Sequence, residues 1–362
     1  MFLSRLALVN VRCHAEQSVT LGPGANVVFG PNGAGKTSLL EAAHILLAGY
    51  TPRGKMRGVI RRGSDYLRVN GSITGEGGSN GAALGQTEVA FACDRSGERR
   101  ISQDGRLLSG FWEMRERLHS VRMFTPDDLR LIKGEPVWRR RFLDDVIGAQ
   151  SPSHRERAQS YREALRQRNA LLRRGCTGGD HQPWEQMLAR LGPDIVAARR
   201  ELLGGLSPQA AEVYLRLAGT TAASLRLTYR TNASALGPDD YIEKLHDDRR
   251  ADGSRGFTNL GPHRDDVRFH LDELDLRAVG SQGEQRTAVL ALLLAERRWS
   301  LEHNESYPLL LLDDVMSELD SSRRNAVMDI LLENGQSIVT AAETGYFRDV
   351  DLAEAQTVEL KG

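Results

Sequence analysis

Cysteine is scarce, and its placement excludes two common frameworks. The 362 residues hold only Cys13, Cys93 and Cys176, odd in number and never spaced as CxxC, so neither a disulfide scaffold nor a structural zinc site is expected. Net charge is also missing: 48 basic residues balance 48 acidic ones, so no global field draws the chain onto nucleic acid and any such affinity must come from a local patch. No apolar run approaches membrane-spanning length, and the start, Phe2-Leu3-Ser4-Arg5, lacks a basic stretch followed by an uninterrupted apolar one. The expectation is therefore a protein of the reducing cytoplasm, neither exported nor inserted in a membrane. Aromatic residues make up only 6% of the chain, and none marks a stacking platform for bases. Internal repeats are absent as well.

What is present suits a globular protein large enough for two lobes, with 27% charged and 40% hydrophobic residues. Up to about residue 125 the chain reads as β-rich, with strands at Leu3 to Val11, Asn26 to Phe29, Tyr66 to Ile73, Thr87 to Cys93 and Arg99 to Ser102. One helix interrupts it, running through Ser38 to Leu47 and ending near Gly49, and Gly75 to Gly85 reads as a mobile loop. From 126 to 255 the periodicity turns helical. Ala158, Tyr161, Leu165 and Leu172 form one stripe, and Trp184, Leu188, Leu191, Ile195 and Leu202 another, with Gly175 to Asp180 turning between them. This predicts a short antiparallel helical arm, followed by a separate helical segment from Pro208 to Leu217, a strand at Ser224 to Tyr229 and a helix near Asp239 to His246. The remainder, 256 to 362, returns to α/β signals: an apolar helix from Gln282 to Trp299, a strand at Leu309 to Leu312, a helix from Ser321 to Leu332 and a strand at Ser337 to Thr340.

Gly30-Pro31-Asn32-Gly33-Ala34-Gly35-Lys36-Thr37 matches GxxxxGK[ST] at every required position and lies between an apolar strand and an apolar helix, the context the motif needs. Its glycines let backbone N–H groups wrap a β-phosphate at a helix N-terminus, whose partial positive charge favours anions. Lys36 is expected to bridge β- and γ-phosphates, Thr37 to offer its hydroxyl to Mg²⁺, and Ser38 to continue the cradle. The second half of the site is Leu309 to Leu312 followed by Asp313 and Asp314: four leucines suit a strand covered on both faces. Asp313 is placed to hold Mg²⁺ and Asp314 to polarise an attacking water. The bland alternative, acids that cap a loop, is disfavoured by the P-loop upstream. ATP with Mg²⁺ is thus the expected ligand. Some 270 residues lie between Thr37 and Asp313, so a second lobe is inserted, as in an ABC-type head.

Ser281-Gln282-Gly283-Glu284-Gln285 resembles the ABC signature motif. Ser281 with Glu284 is also a capping box, and the two readings are compatible, since a Ser-capped helix with Gly283 in its first turn presents free N–H groups to a γ-phosphate. In ABC-type heads that phosphate belongs to the opposing subunit, with Ser281, Gly283 and Gln285 then completing its site. Ser317-Glu318-Leu319-Asp320 resembles the D-loop of the same interface, though Asp320 also suits a helix N-cap.

Over nearly its whole length the chain resembles the bacterial RecF family. The resemblance rests on Leu8-Val9-Asn10-Val11-Arg12, the P-loop, Phe124 to Gly134, Arg139 to Asp144, Gly261-Pro262-His263-Arg264-Asp265-Asp266, Gly280 to Thr287 and Leu312 to Asp320. It implies an α/β fold, an ABC/SMC-type P-loop ATPase head with a mixed-sheet lobe and an inserted, mainly helical lobe. It also implies a weak DNA-stimulated ATPase, an ATP-dependent homodimer that clamps DNA at gaps or junctions, and work with RecO and RecR in loading a recombinase. By analogy with such heads Arg12 contacts phosphate or base, a role a surface strand arginine need not have. Asp314 stands where many ABC heads have glutamate and Thr340 where they place a switch histidine, and no Q-loop glutamine can be placed. DNA contacts are expected from Arg139, Arg140 and Arg141, and from Arg155, Arg162 and Arg166, which recur at helical spacing. Glu156 and Glu163 also allow an ordinary solvated face. The rival readings are the ATP subunit of a transporter, another SMC-like ATPase, or a small-molecule phosphotransferase.

Overall fold

The computed structural model describes residues 2–75, 85–110, 113, 121–175, 179–219, 223–233, 236–304, 307–333, 335–347 and 355–361. It divides into two compact units, one of Met1–Asp128, Arg216–Gly219 and Ser300–Gly362, the other of Leu129–Leu215 and Thr220–Trp299. The loop expected at Gly75 to Gly85 falls mostly outside the described residues.

Among the described residues the first unit holds two sheets. Strands β1 (Phe2–Val11), β2 (His14–Thr20), β4 (Tyr66–Thr74), β5 (Gln86–Asp94), β6 (Arg99–Gln103) and β7 (Arg106–Leu107) pair antiparallel in the order β2-β1-β4-β5-β6-β7. Their side chains alternate: Leu6, Leu8, Leu67, Val69, Val89 and Phe91 are buried, while Arg5, Arg68 and Glu88 beside them are exposed. That is the pattern of a sheet with one face packed and one wet. The other sheet is wholly parallel, β14-β3-β13-β12-β8, made of β3 (Ala25–Phe29), β8 (Val121–Phe124), β12 (Leu309–Leu312), β13 (Ser337–Ala341) and β14 (Gln356–Glu359). Its central strands β12 and β13 are buried at every position, as strands covered on both faces must be. The helix Lys36–Ala48 packs against strands of both sheets, which is why its ten residues from Leu39 to Ala48 are all buried. Each fully buried leucine there stabilises the fold by about 1.5–3 kcal/mol. Gly49, in the left-handed region, ends the helix as expected.

The second unit is mainly helical. Helix Pro152–Arg173 opens on the Ser151 hydroxyl, which accepts from the His154 N–H, and is followed by helix Gln182–Ala218. The ion pairs Arg157–Asp194 and Arg168–Glu185 give these two an antiparallel register, and Tyr161, Ala164, Leu188, Leu191 and Ile195 pack between them. The separate segment expected after Pro208 is absent: the 37-residue helix runs through both Pro193 and Pro208. Each proline costs about 3 kcal/mol in a helix interior, yet buried side chains continue at three- and four-residue steps, at Leu188, Leu191, Ile195, Arg199, Leu202, Leu206, Ala210 and Val213, and their burial outweighs the loss.

The chain returns to the first unit at Ser300 rather than at 256. The reason is strand pairing. Strand β10 (Asp266–Leu271) pairs antiparallel with β9 (Leu225–Arg230) and with β11 (Leu274–Asp275), a three-stranded sheet of the second unit. The Ser281 segment follows it there, while Asp313 lies in the first unit. No helix among the described residues is long and apolar enough to cross a membrane.

Candidate functional site

The P-loop joins β3 to the buried helix, and its geometry is set by close approach. A Cβ at Gly30 would lie 2.5 Å from the Leu360 carbonyl oxygen, and Gly35, at φ 88°, has the His14 ring and Cys13 sulfur where a side chain would go. These contacts demand glycine. The Lys36 ammonium donates to the carbonyls of Gly30 (2.6 Å) and Pro31 (3.0 Å), so it is folded back along the loop. Pro31, Asn32 and Gly33 line the exposed rim, and Ser38 lies one residue beyond Thr37 in the helix.

Sheet order then assembles the other half. Strand β13 lies between β3 and β12, so Asp313, at the end of β12, reaches the start of the P-loop helix. The Thr37 hydroxyl is 2.8 and 3.0 Å from the two Asp313 carboxylate oxygens. A hydroxyl and a carboxylate so close form the hard-oxygen donor pair that Mg²⁺ takes alongside phosphate, so the residues fit the metal expected of them. Asp313 is 4% exposed and its backbone N–H is fixed to the Phe124 carbonyl at 3.1 Å. Two further side chains converge on it. Arg53 donates through Nη2 at 2.6 Å, and the Thr340 hydroxyl donates at 3.1 Å while accepting from the Asp314 N–H at 2.9 Å. Asp314 is exposed and left-handed, with φ 51°, a conformation aspartate tolerates better than most residues.

Sequence reasoning missed Arg53, which lies in a loop with no periodicity to betray it. It also put Thr340 at the end of its strand, whereas Ala341 closes it. Next to this cluster Asp128 accepts from the Thr125 N–H and hydroxyl at 2.6 and 3.0 Å, and burial pushes its carboxyl up to about 6.

Arg12, at φ 52°, makes a bidentate pair with Glu41 of the P-loop helix at 2.7 and 2.8 Å and donates its third nitrogen to the Gly58 carbonyl. Glu41 also accepts from Thr51. The arginine therefore braces the helix behind the phosphate loop, a structural task that its sequence setting did not disclose.

In the second unit Ser281 heads helix Gln282–Asn304 and forms the capping box in full. Its hydroxyl and N–H donate to Glu284 at 2.8 and 2.7 Å, and the Glu284 N–H returns to the Ser281 oxygen at 3.3 Å. Ser281 and Gln282 are exposed and Gly283 is half-buried, which leaves the helix start open to a ligand. Gln285 does not share that surface. It is 3% exposed and spends its amide on the carbonyls of Leu276 (3.1 Å) and Gly280 (3.0 Å), so its expected nucleotide contact is corrected to a brace of the preceding turn. In the first unit Asp320 accepts from the Arg323 N–H at 2.9 Å, the N-cap alternative for that segment.

The arginines expected on DNA separate into two groups. Arg139 is corrected outright: 3% exposed, it pairs with Asp266 at 2.6 Å and donates to the carbonyls of Leu131 and Gly134, both at 3.0 Å. Arg140 is half-buried on the Asp265 carbonyl (2.7 Å), and burial lowers its pKa. Arg155 bends back onto the Gly148 carbonyl. Arg141, Arg162 and Arg166 remain exposed, although Arg166 is held bidentate by Glu163. The Gly-Pro-His-Arg-Asp-Asp segment is a packing hub. Asp265 receives Arg199 and Tyr229, and the His263 Nδ1 lies 3.0 Å from the Tyr161 hydroxyl. At Gly261, φ 128°, a side chain would strike the hydroxyls of Tyr161 and Tyr241.

With this geometry in place, similarity to known proteins can be read. The family model for the RecF/RecN/SMC N terminal domain matches residues 2–359. A DNA replication and repair protein RecF of Moorella thermoacetica is 35% identical over 353 residues, covering 95% of this chain and 90% of the relative. That of Deinococcus deserti is 34% identical over 344 residues, covering 95% and 91%. Among solved structures, that of the recombination mediator protein RecF-ATP in the RecFOR pathway superposes with TM-score 0.83 at 28% identity, covering 97% of this chain and 93% of that one. An Smc head bound to the C-winged helix domain of ScpA superposes with TM-score 0.60 at 16% identity, covering 99% and 94%, a likeness of fold.

Proposed function

The chain belongs to the RecF family of SMC-type ATPases, and from that premise we propose that it is an ATP-driven DNA clamp of recombinational repair. The observation that carries the proposal is the convergence of Thr37 and Asp313 at the mouth of a complete P-loop, together with a second helix start, at Ser281, capped yet open. In this reading backbone N–H groups from Gly33 to Thr37 hold the β-phosphate and Lys36 swings from its loop carbonyls to the β- and γ-oxygens. Bound Mg²⁺, held by Thr37 and Asp313, would neutralise phosphate charge. Asp314 orients the attacking water, and the N-terminus of the Ser281 helix reads the γ-phosphate held by a second copy of the chain. Each nucleotide is then shared between two protomers, so ATP closes the dimer on DNA and hydrolysis releases it.

Turnover is expected to be slow, because Asp314 is one methylene shorter than glutamate and Thr340 carries no titratable proton. Stimulation by DNA, and action with RecR and RecO at single-strand gaps, complete the proposal by family relationship. The test is sedimentation with ATP and Mg²⁺. Lys36→Ala should lose ATP binding, whereas Ser281→Arg should keep it and remain monomeric. ATP-dependent dimers of the Ser281 variant would sink the shared-nucleotide mechanism.

A further inference from the structure

The helix Pro136–Gln150 opens with an apolar pair at the surface, Val137 at 48% and Trp138 at 38% exposure. The indole is nonetheless fixed. A Cβ at Gly134 would come within 3.0 Å of its Cδ1, so that edge of the ring abuts the turn, and the Arg130 guanidinium sits over one face, 5.0 Å from the ring centroid. Arg130, Lys133 and Arg141 are all exposed on this stretch, and Glu135 is the one acid between residues 130 and 141. An aromatic anchor for another protein normally sits where charge is depleted. Here a rigid π-face is surrounded by like cations, the arrangement that suits a polyanion whose monomers carry π-faces of their own.

We propose that Trp138, on the face opposite Arg130, is a stacking platform for an unpaired nucleobase, with Lys133 and Arg141 on the flanking phosphates. The proposal rests on the DNA-clamp reading and deepens it. A continuous duplex keeps its base faces stacked inside, so only a gap or an end can fill the platform. The site therefore discriminates gapped DNA from intact duplex, while exposed cations such as Arg162 serve both. Loss of one base–indole stack should weaken binding about 10-fold or more.

The experiment places 2-aminopurine in the middle of a five-nucleotide gap and measures its fluorescence, alongside anisotropy on gapped and blunt duplex, all with ATP and Mg²⁺. Trp138→Ala should lose about 10-fold in affinity for the gapped DNA, leave blunt-duplex affinity and DNA-free ATP hydrolysis unchanged, and abolish the 2-aminopurine quenching. Trp138→Phe should retain it. Should the alanine variant not fold, Trp138→Leu keeps the apolar volume without a π-face and should behave as alanine is expected to. Persistent quenching in the Ala or Leu variant, or equal loss on both DNAs, overturns the assignment. Full gapped-DNA affinity in those variants overturns it too and leaves the patch as a docking surface for protein. Wild-type protein that binds neither DNA removes the clamp reading itself, a failure distinct from the others.

Discussion

Arg139→Ala separates a structural arginine from a DNA contact. The side chain is 3% exposed and holds Asp266 at 2.6 Å and two backbone carbonyls at 3.0 Å. Removing one partner of a buried pair costs about 3–5 kcal/mol, because the other charge stays buried and uncompensated. The lower end applies here, since Asp266 keeps the Val267 N–H at 2.8 Å and has Arg268 at 3.5 Å. For a folding unit of this size each kcal/mol moves the melting midpoint by about 2–4 °C, so a drop of about 6–12 °C is expected by calorimetry. Arg141→Ala is the control. That residue is exposed and only 3.5 Å from Asp145, a surface pair worth about 0–1 kcal/mol. It should melt like wild type and, if it meets a phosphate, reduce the salt dependence of DNA binding by about one counterion. An Arg139→Ala protein that melts within a degree of wild type, yet shows the reduced salt slope, would refute the burial argument.

Two further outcomes follow from single residues. Burial above all holds His263 down at about 4, below the ordinary value near 6.5, so stability is full above about pH 6.5 and falls as the unfolded chain takes up a proton that the folded chain refuses. Denaturation midpoints between pH 7 and 4 should show this loss, up to about 3 kcal/mol, and it should flatten in His263→Gln; an identical pH profile in that variant would exclude His263 as the source. Thr340→Val removes a hydroxyl that accepts from the Asp314 N–H and donates to Asp313. Equilibrium nucleotide binding should persist while single-turnover hydrolysis falls about 10-fold, in line with about 1–2 kcal/mol of lost positioning; equal losses in both would mean that the P-loop itself had been disturbed.

The phosphate site was legible because its chemistry is written in the backbone. A GxxxxGK[ST] run fixes where N–H groups point, and four consecutive leucines before two aspartates suit an interior strand that ends at solvent. Strand β12 was placed to the residue for that reason. Side-chain partners were another matter. The arginine run 139–141 looked like a single basic surface, but successive helical residues lie about 100° apart, so one of three had to turn inward. Arg139 falls on the stripe of Leu143 and Val146, both 1% exposed. The same periodicity puts Gln285 on the buried side with Ala288 and Leu292. Both corrections were available from helical spacing, had it been applied to polar residues as strictly as to apolar ones.

Other features had no local signal at all. Arg53 meets Asp313 across 260 positions from a loop whose course depends on the fold. Trp138 reads in the sequence as one apolar residue among many, and only the glycine at its Cδ1 edge and the arginine over one face make it an ordered surface ring. One proline misled in the opposite direction: Pro208 read as a break, yet the burial of side chains on either side carries the helix through it, as it does through Pro193. The same physics separates the cases. Wherever function is performed by backbone geometry, a short motif suffices to find it. Where it depends on which cation faces which carboxylate, the identity of the partner is decided by tertiary contacts, and a charged residue's neighbours in sequence say little about whether it meets DNA or its own fold.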